Sequence, residues 1–223
     1  MIKYVSDKLS GFEWYVSGSN PKLLFHSGTH GDEFDVVDCV KNSLLRYIDK
    51  LPSFIFVPYV SPSAIKNKTR NNKNGLDLNR SFFRSSDDLE IKENINILEG
   101  CNFNLFVSFH EDPMSDQYYI YDESDDDELS SKIVKHNGFI EQKGISLLNG
   151  FDDPDDPHLG HKFVEGYAKF DHSQNNKADG TVTMWLYSEK RVKSILVPEI
   201  PGKINLGKKA MLVDSIFKNI ILN

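Results

Sequence analysis

Cysteine is scarce in this chain, and its scarcity excludes two common architectures. The 223 residues include 2 cysteines, Cys39 and Cys101, too few for a disulfide framework or for a structural zinc site built on thiolates. Both fall inside apolar segments and read as small buried residues. Long apolar runs are also missing: no stretch approaches the length of a membrane span, so no membrane partner is expected. Residues 1–7 lack the basic segment followed by an apolar core that marks a signal peptide, which makes the cytoplasm the expected compartment. Positive charge is in deficit. Lys and Arg number 26 against 33 Asp and Glu, a formal net charge of −7, and a surface of that sign repels a polyanion, which excludes nucleic acid as the expected partner. The negative residues concentrate at 122–128 and 152–156, two runs read as solvated loops. Internal repeats and Pro/Gly/Ser linkers are absent too, so residues 1–223 are expected to form a single domain. The oligomeric state is not encoded in any of these features.

What is present alternates. Apolar, β-prone stretches at 12–16, 22–26, 54–59, 104–109, 118–121 and 194–197 predict strands. Apolar residues recurring at three- and four-residue steps predict a helix over 35–50, and further helices are expected at 87–99, 126–136, 181–189 and 210–221. Strands alternating with helices indicate an α/β fold, a mixed β-sheet covered by helices on both faces. In such sheets functional groups gather beyond the carboxyl ends of strands. His30, His110 and Glu199 all stand just past predicted strands.

The chemistry is carried by histidines and carboxylates. His30-Gly31-Asp32-Glu33 follows one apolar run and His110 ends another, an arrangement that reads as a divided zinc site: two imidazoles and a carboxylate hold an open catalytic zinc and leave one position for water. His30 and Glu33 lie three residues apart where a strand turns into a helix, so one turn can aim both at a point. Arg70 precedes Asn74-Gly75-Leu76-Asp77-Leu78-Asn79-Arg80, where Gly75 permits a tight turn and Asn79-Arg80 sets an amide beside a guanidinium. A guanidinium suits recognition of a terminal carboxylate through two parallel hydrogen bonds; equally, Arg80 could cap a loop or pair with a surface aspartate.

Taken together the islands Gly28-Thr29-His30-Gly31-Asp32-Glu33, Thr69-Arg70, Asp77-Leu78-Asn79-Arg80, Ser108-Phe109-His110 and Pro198-Glu199 resemble, in order, the zinc carboxypeptidase superfamily, which includes carboxypeptidase A-like peptidases and the aspartoacylase and succinylglutamate desuccinylase deacylases. The resemblance implies that His30, Glu33 and His110 bind one zinc ion and that Glu199 is the general base that activates water. It implies that Arg70 stabilises the oxyanion, that Asn79 and Arg80 hold the substrate carboxylate, and that Tyr187, in Trp185-Leu186-Tyr187, is the tyrosine that closes over substrate in the peptidase branch. Tyr187 also fits plain core packing.

The expected activity is thus a zinc-dependent metallohydrolase, a carboxypeptidase-like protease cleaving an amide or peptide bond next to a free carboxylate in a small peptide or acyl-amino acid. An aspartoacylase-type deacylase of N-acyl amino acids is the alternative, disfavoured because the chain ends soon after Glu199. A non-catalytic metal-binding module is a third reading, and Arg70 and Glu199 argue against it. Two features depart from the superfamily pattern. Val60-Ser61-Pro62-Ser63-Ala64 stands where an Asn-Pro turn is usual, and Glu111-Asp112 follows the second histidine with carboxylates that could orient a ligand, repel acidic substrates or face solvent. His26 reads as a strand residue and His136 as a helix-end residue. His158 and His161 are spaced for a shared metal inside a segment read as a loop, and His172 could reach a substrate.

Overall fold

The computed structural model describes residues 1–153, 159–170 and 179–223. In chain order it begins with the strands β1 (Ile2–Val5), β2 (Glu13–Ser17) and β3 (Leu23–His26), followed by helix α1 (Asp35–Tyr47), strand β4 (Phe54–Val57) and the short helix α2 (Pro62–Asn67). A 3-10 turn at Leu78–Arg80 leads to α3 (Leu89–Leu98), β5 (Phe103–Ser108), β6 (His110–Asp112), β7 (Gln117–Glu123) and α4 (Asp127–Gln142). Four short strands follow: β8 (Ser146–Leu147), β9 (Gly150–Phe151), β10 (Lys162–Phe163) and β11 (Tyr167–Lys169). Helix α5 (Val182–Ser188), strand β12 (Val192–Pro201) and helix α6 (Leu206–Ile216) complete the chain, α6 running on as a π-helical turn at Phe217–Ile221.

The main sheet runs β1-β2-β4-β3-β5-β12-β7-β11, with β6 on β12 and β8 on β7. Its centre, β4-β3-β5-β12, is parallel, and antiparallel pairs join β1, β2 and β7 to it. The parallel centre is buried on both faces, as its uninterrupted apolar strands require. Because side chains alternate along a strand, Leu23 and Phe25 enter one core with Val36, Val40 and Leu44 of α1 and with residues of α4 and α6. Leu24 enters the other with Ile91, Ile95 and Leu98 of α3 and Val182, Trp185 and Leu186 of α5. The fold is therefore α/β with helices on both faces. Among the described residues no helix is long and apolar enough to cross a membrane.

Most helices start where a polar side chain can accept their first amide hydrogens. Asp88 caps α3, Asp126 caps α4, Thr181 caps α5 and Asn205 caps α6. The acidic run at 122–128 spans the end of β7 and the first turn of α4 rather than a loop, with Asp125, Asp126, Asp127 and Glu128 exposed as expected. Asp122 is fully buried and accepts the Ser124, Ser130 and Tyr167 hydroxyls, while Asp126 supplies the α4 cap. In the second run Asp152 accepts the Tyr121 hydroxyl at 2.7 Å and the Gly160 and His161 amides, and residues 154–156 lie outside the described residues. In α1 the cap position falls to Phe34, which has no group to accept with.

Candidate metal centre

The loop after β3 leaves the sheet at the carboxyl end of its parallel centre. Gly28 turns there with φ +62°, and Gly31 passes so close to α2 that an added Cβ would lie 1.8 Å from the Ala64 carbonyl oxygen. The Gly31 amide donates to Thr69 O at 2.9 Å. Only glycine fits that approach, and it seats His30 and Glu33 beneath the sheet edge. β6 continues the line of β5, the strand paired directly with β3, and delivers His110 to the same end of the sheet. Phe109, fully buried, stacks its ring on Phe217 at 5.7 Å and anchors that step.

His30, Glu33 and His110 each offer a ligand atom, and those atoms lie within 4.8 Å of one another, all three residues being buried. Both Nδ1 atoms face the Glu33 carboxylate: His30 Nδ1 contacts Oε1, and His110 Nδ1 is 2.9 Å from Oε2. The opposite ring nitrogens are occupied elsewhere. His30 Nε2 meets Asp77 Oδ1 at 3.1 Å, and His110 Nε2 meets Ser108 Oγ at 3.1 Å. The Asp77 carboxylate can only accept, which puts a proton on His30 Nε2 and turns its Nδ1 towards the shared point. Burial works against charge on His30, yet Glu33 and Asp77 outweigh it and lift the imidazole to about 9. Burial also opposes charge on Glu33, and His30 and His110 nevertheless hold its carboxyl below the usual carboxylate range. Two imidazoles with one carboxylate, oriented from behind, are a donor set that fits a divalent cation.

Glu199 is partly buried on β12, in register with His110 on one neighbouring strand and with Tyr119 on the other. Residues opposite one another in a ladder project to one face, so Glu199 stands beside the cluster. Burial, then Glu33 and Asp112, push its carboxyl well above the ordinary range. Across the opening, Arg70 donates through Nε at 3.0 Å to Asp77 Oδ2, and its Nη2 lies 2.9 Å from the same oxygen. Asp77 thus serves His30 with one oxygen and Arg70 with the other, and its Oδ1 also accepts the Asn79 amide at 2.8 Å. Arg80 folds its Nη1 onto Asn79 O at 2.8 Å.

These groups share one cavity of about 1040 Å³, lined by His30, Glu33, Arg70, Asn79, Arg80, His110 and Glu199 among others. Tyr187 is not part of that lining. Thr183 and Met184, one turn earlier on α5, reach the cavity instead. His161 also lines the cavity, its ring edge-on to Phe170 at 4.4 Å, whereas His158 and His172 lie outside the described residues. His26 ends β3 fully buried against Phe106, and His136 sits inside α4 rather than at its end. Three residues of the neighbourhood were not foreseen as partners: Asp77 as a link between His30 and Arg70, Ser108 behind His110, and Lys209. The Asp77 link was within reach of the sequence, because an aspartate two residues before Asn79-Arg80 belongs to a distinctive island.

No family model matches the sequence, and no curated protein matches it. Solved structures match the fold. A candidate metallopeptidase from Shewanella denitrificans OS217 aligns with a TM-score of 0.70 at 19% identity, over 97% of this chain and 82% of that one. A metallo-carboxypeptidase from Pseudomonas aeruginosa in complex with (2-guanidinoethylmercapto)succinic acid aligns with a TM-score of 0.60 at 14% identity, over 94% of this chain and 60% of that one. A succinylglutamate desuccinylase from Silicibacter sp. TM1040 gives 0.60 at 15%, over 94% and 59%. The chain spans about three fifths of the length of the last two. Its fold is carboxypeptidase-like, the architecture that the sequence islands implied.

Proposed function

We propose that the protein is a zinc-dependent hydrolase that cleaves an amide or peptide bond beside a free carboxylate. The observation that carries this reading is the convergence of His30, Glu33 and His110 within 4.8 Å, with Glu199 in register next to His110 on the same face. His30, Glu33 and His110 would hold the cation, and zinc suits their mixed nitrogen and oxygen donors, although other divalent ions can occupy such groups. When bound, the cation supplies Lewis acidity, polarising a carbonyl and acidifying a water molecule.

The chain's own residues do the rest. Glu199 takes a proton from water and passes it to the leaving nitrogen, the work of a base that becomes an acid. Arg70, oriented beforehand by Asp77, offers its guanidinium to the charge that develops on the carbonyl oxygen. Asn79 and Arg80 hold the substrate carboxylate, which places the scissile bond between Glu199 and Arg70. A peptide and an N-acyl amino acid both carry an amide next to a carboxylate. The desuccinylase matches this chain as closely as the carboxypeptidase does, with the same TM-score, so deacylation of small acyl-amino acids is the second reading.

The deciding experiment profiles the zinc-loaded protein against a peptide library beside a panel of N-acylated amino acids, then repeats the preferred reaction with Glu199→Gln. Turnover is expected to fall by about 100-fold or more, with one zinc still bound per chain. Undiminished turnover in that variant would remove Glu199 from the mechanism, and absence of any hydrolysis in either panel would leave a binding module in its place.

A further inference from the structure

Next to the metal centre lies a buried group of charges that the proposed chemistry does not use. Lys209 of α6 sends its ammonium to Glu111 Oε1 at 2.6 Å and to Asp35 Oδ2 at 2.8 Å. The Lys209 and Glu111 side chains are only 5% and 4% exposed, so Glu111 does not face solvent. The second carboxylate oxygen, Glu111 Oε2, accepts the Val36 amide at 3.0 Å. That bond supplies, from a distant strand, the cap that Phe34 cannot provide to α1. On its backbone side the Glu111 amide donates to Glu33 Oε2 at 3.3 Å. A single residue therefore joins three things: His110, its covalent neighbour; Glu33, through its own peptide; and the first turn of the helix that begins two residues after Glu33.

Stability alone is a poor account of this arrangement. Taking an ammonium and a carboxylate out of water costs about as much as their attraction returns, and apolar residues of the same volume commonly serve as well. What the charged pair supplies and an apolar pair would not is direction, since it holds the Glu111 carboxylate against the Val36 amide and the Glu111 peptide against Glu33. We infer that Glu111 and Lys209 are positioning residues of the metal centre: Lys209 fixes the Glu111 side chain, and Glu111 sets the distance between Glu33 and His110. The inference rests on the metal-centre reading given above.

The test uses the full chain and two substitutions, Glu111→Gln alone and Glu111→Gln combined with Lys209→Met. The first is isosteric and leaves Lys209 paired with Asp35; the second leaves no buried charge stranded. For each, Zn²⁺ affinity is measured by competition with a chromophoric chelator, the visible bands of the Co²⁺-substituted protein are recorded, and the melting temperature is taken after chelation. Both variants are expected to bind Zn²⁺ about 10–100-fold more weakly than the parent and to show shifted Co²⁺ bands. A merely structural pair would lower the melting temperature of the metal-free protein and leave affinity and bands at parental values, and that result overturns the inference. A parent that binds no stoichiometric Zn²⁺ overturns the metal-centre reading itself, so the two failures are told apart by the parent alone.

Discussion

At the scale of single residues the site depends on a glycine and an aspartate as much as on His30, Glu33 and His110. Gly31 leaves no space for a side chain, since a Cβ there would sit inside the Ala64 carbonyl. Gly31→Ala must push the loop away from α2 and carry His30 and Glu33 with it. Overpacking of this kind costs about 1–3 kcal/mol, so urea denaturation is expected to show a destabilised protein, and zinc titration a lost or much weakened site. Asp77 is held in its charged form, against burial, by the His30 bond and by Arg70. Asp77→Asn keeps the shape and removes the charge, and the expected result is Zn²⁺ binding weakened by about 10–100-fold together with a lower kcat, because Arg70 loses its orientation. Unchanged affinity in a chelator competition would show that His30 is held by something else. His30, Glu33, His110 and Arg70 were legible only as islands in one order, since a lone His-x-x-Glu or an arginine beside an amide has ordinary structural uses as well. Lys209 was not legible, since its partner Glu111 is 98 residues away and nothing local distinguishes it from any other helical lysine.

At the scale of elements, the strand that carries Glu199 shows where periodicity misleads. An apolar run ending at Val197 and followed by Pro198 reads as a strand that stops, because proline lacks an amide hydrogen for the ladder. In the structure β12 continues to Pro201. Pro198 falls between the last pair with β5, Leu196 opposite Val107, and the first pair with β6, Glu199 opposite His110. Its missing donor lies where one neighbouring strand gives way to the next. The edge strand β1, exposed on both faces, and the two- and three-residue strands β8 to β11 have no apolar alternation to read. Helix α4 runs six residues past His136, which is therefore enclosed between Tyr118 and Ser215 of α6. Burial lowers the His136 imidazole to about 4. The unfolded chain takes up this proton near its ordinary value of about 6.5, so it binds more protons than the folded chain between those limits. Stability from this residue is full above pH 6.5 and is lost as pH falls towards 4, by about 3 kcal/mol in all. Denaturation midpoints measured across that range are expected to fall with acid in the parent and to fall less in His136→Gln.

At the scale of the whole molecule the two cores are coupled by the strands between them. β3 gives Phe25 to one and Leu24 to the other, β5 gives Val107 and Phe106, and β12 gives Leu196 and Ile195. Neither layer can melt without exposing the reverse side of strands the other needs, so we propose that residues 1–223 unfold in one cooperative step, with circular dichroism and tryptophan fluorescence reporting the same midpoint. A metal held by the loop after β3 and by β6 then stabilises that whole unit, because it binds the folded chain and finds no assembled site in the unfolded one. With free zinc at 100 times its dissociation constant the gain is about 2.7 kcal/mol. For a chain of this size each kcal/mol moves the midpoint by about 2–4 °C, so the zinc-loaded protein is expected to melt about 5–10 °C above the chelated one. The shift should grow with the logarithm of free zinc and should vanish in a variant with both His30 and His110 replaced by alanine. A zinc-dependent shift that survives that double replacement would place the stabilising ion elsewhere, and would separate the convergence of these histidines from any role in holding metal.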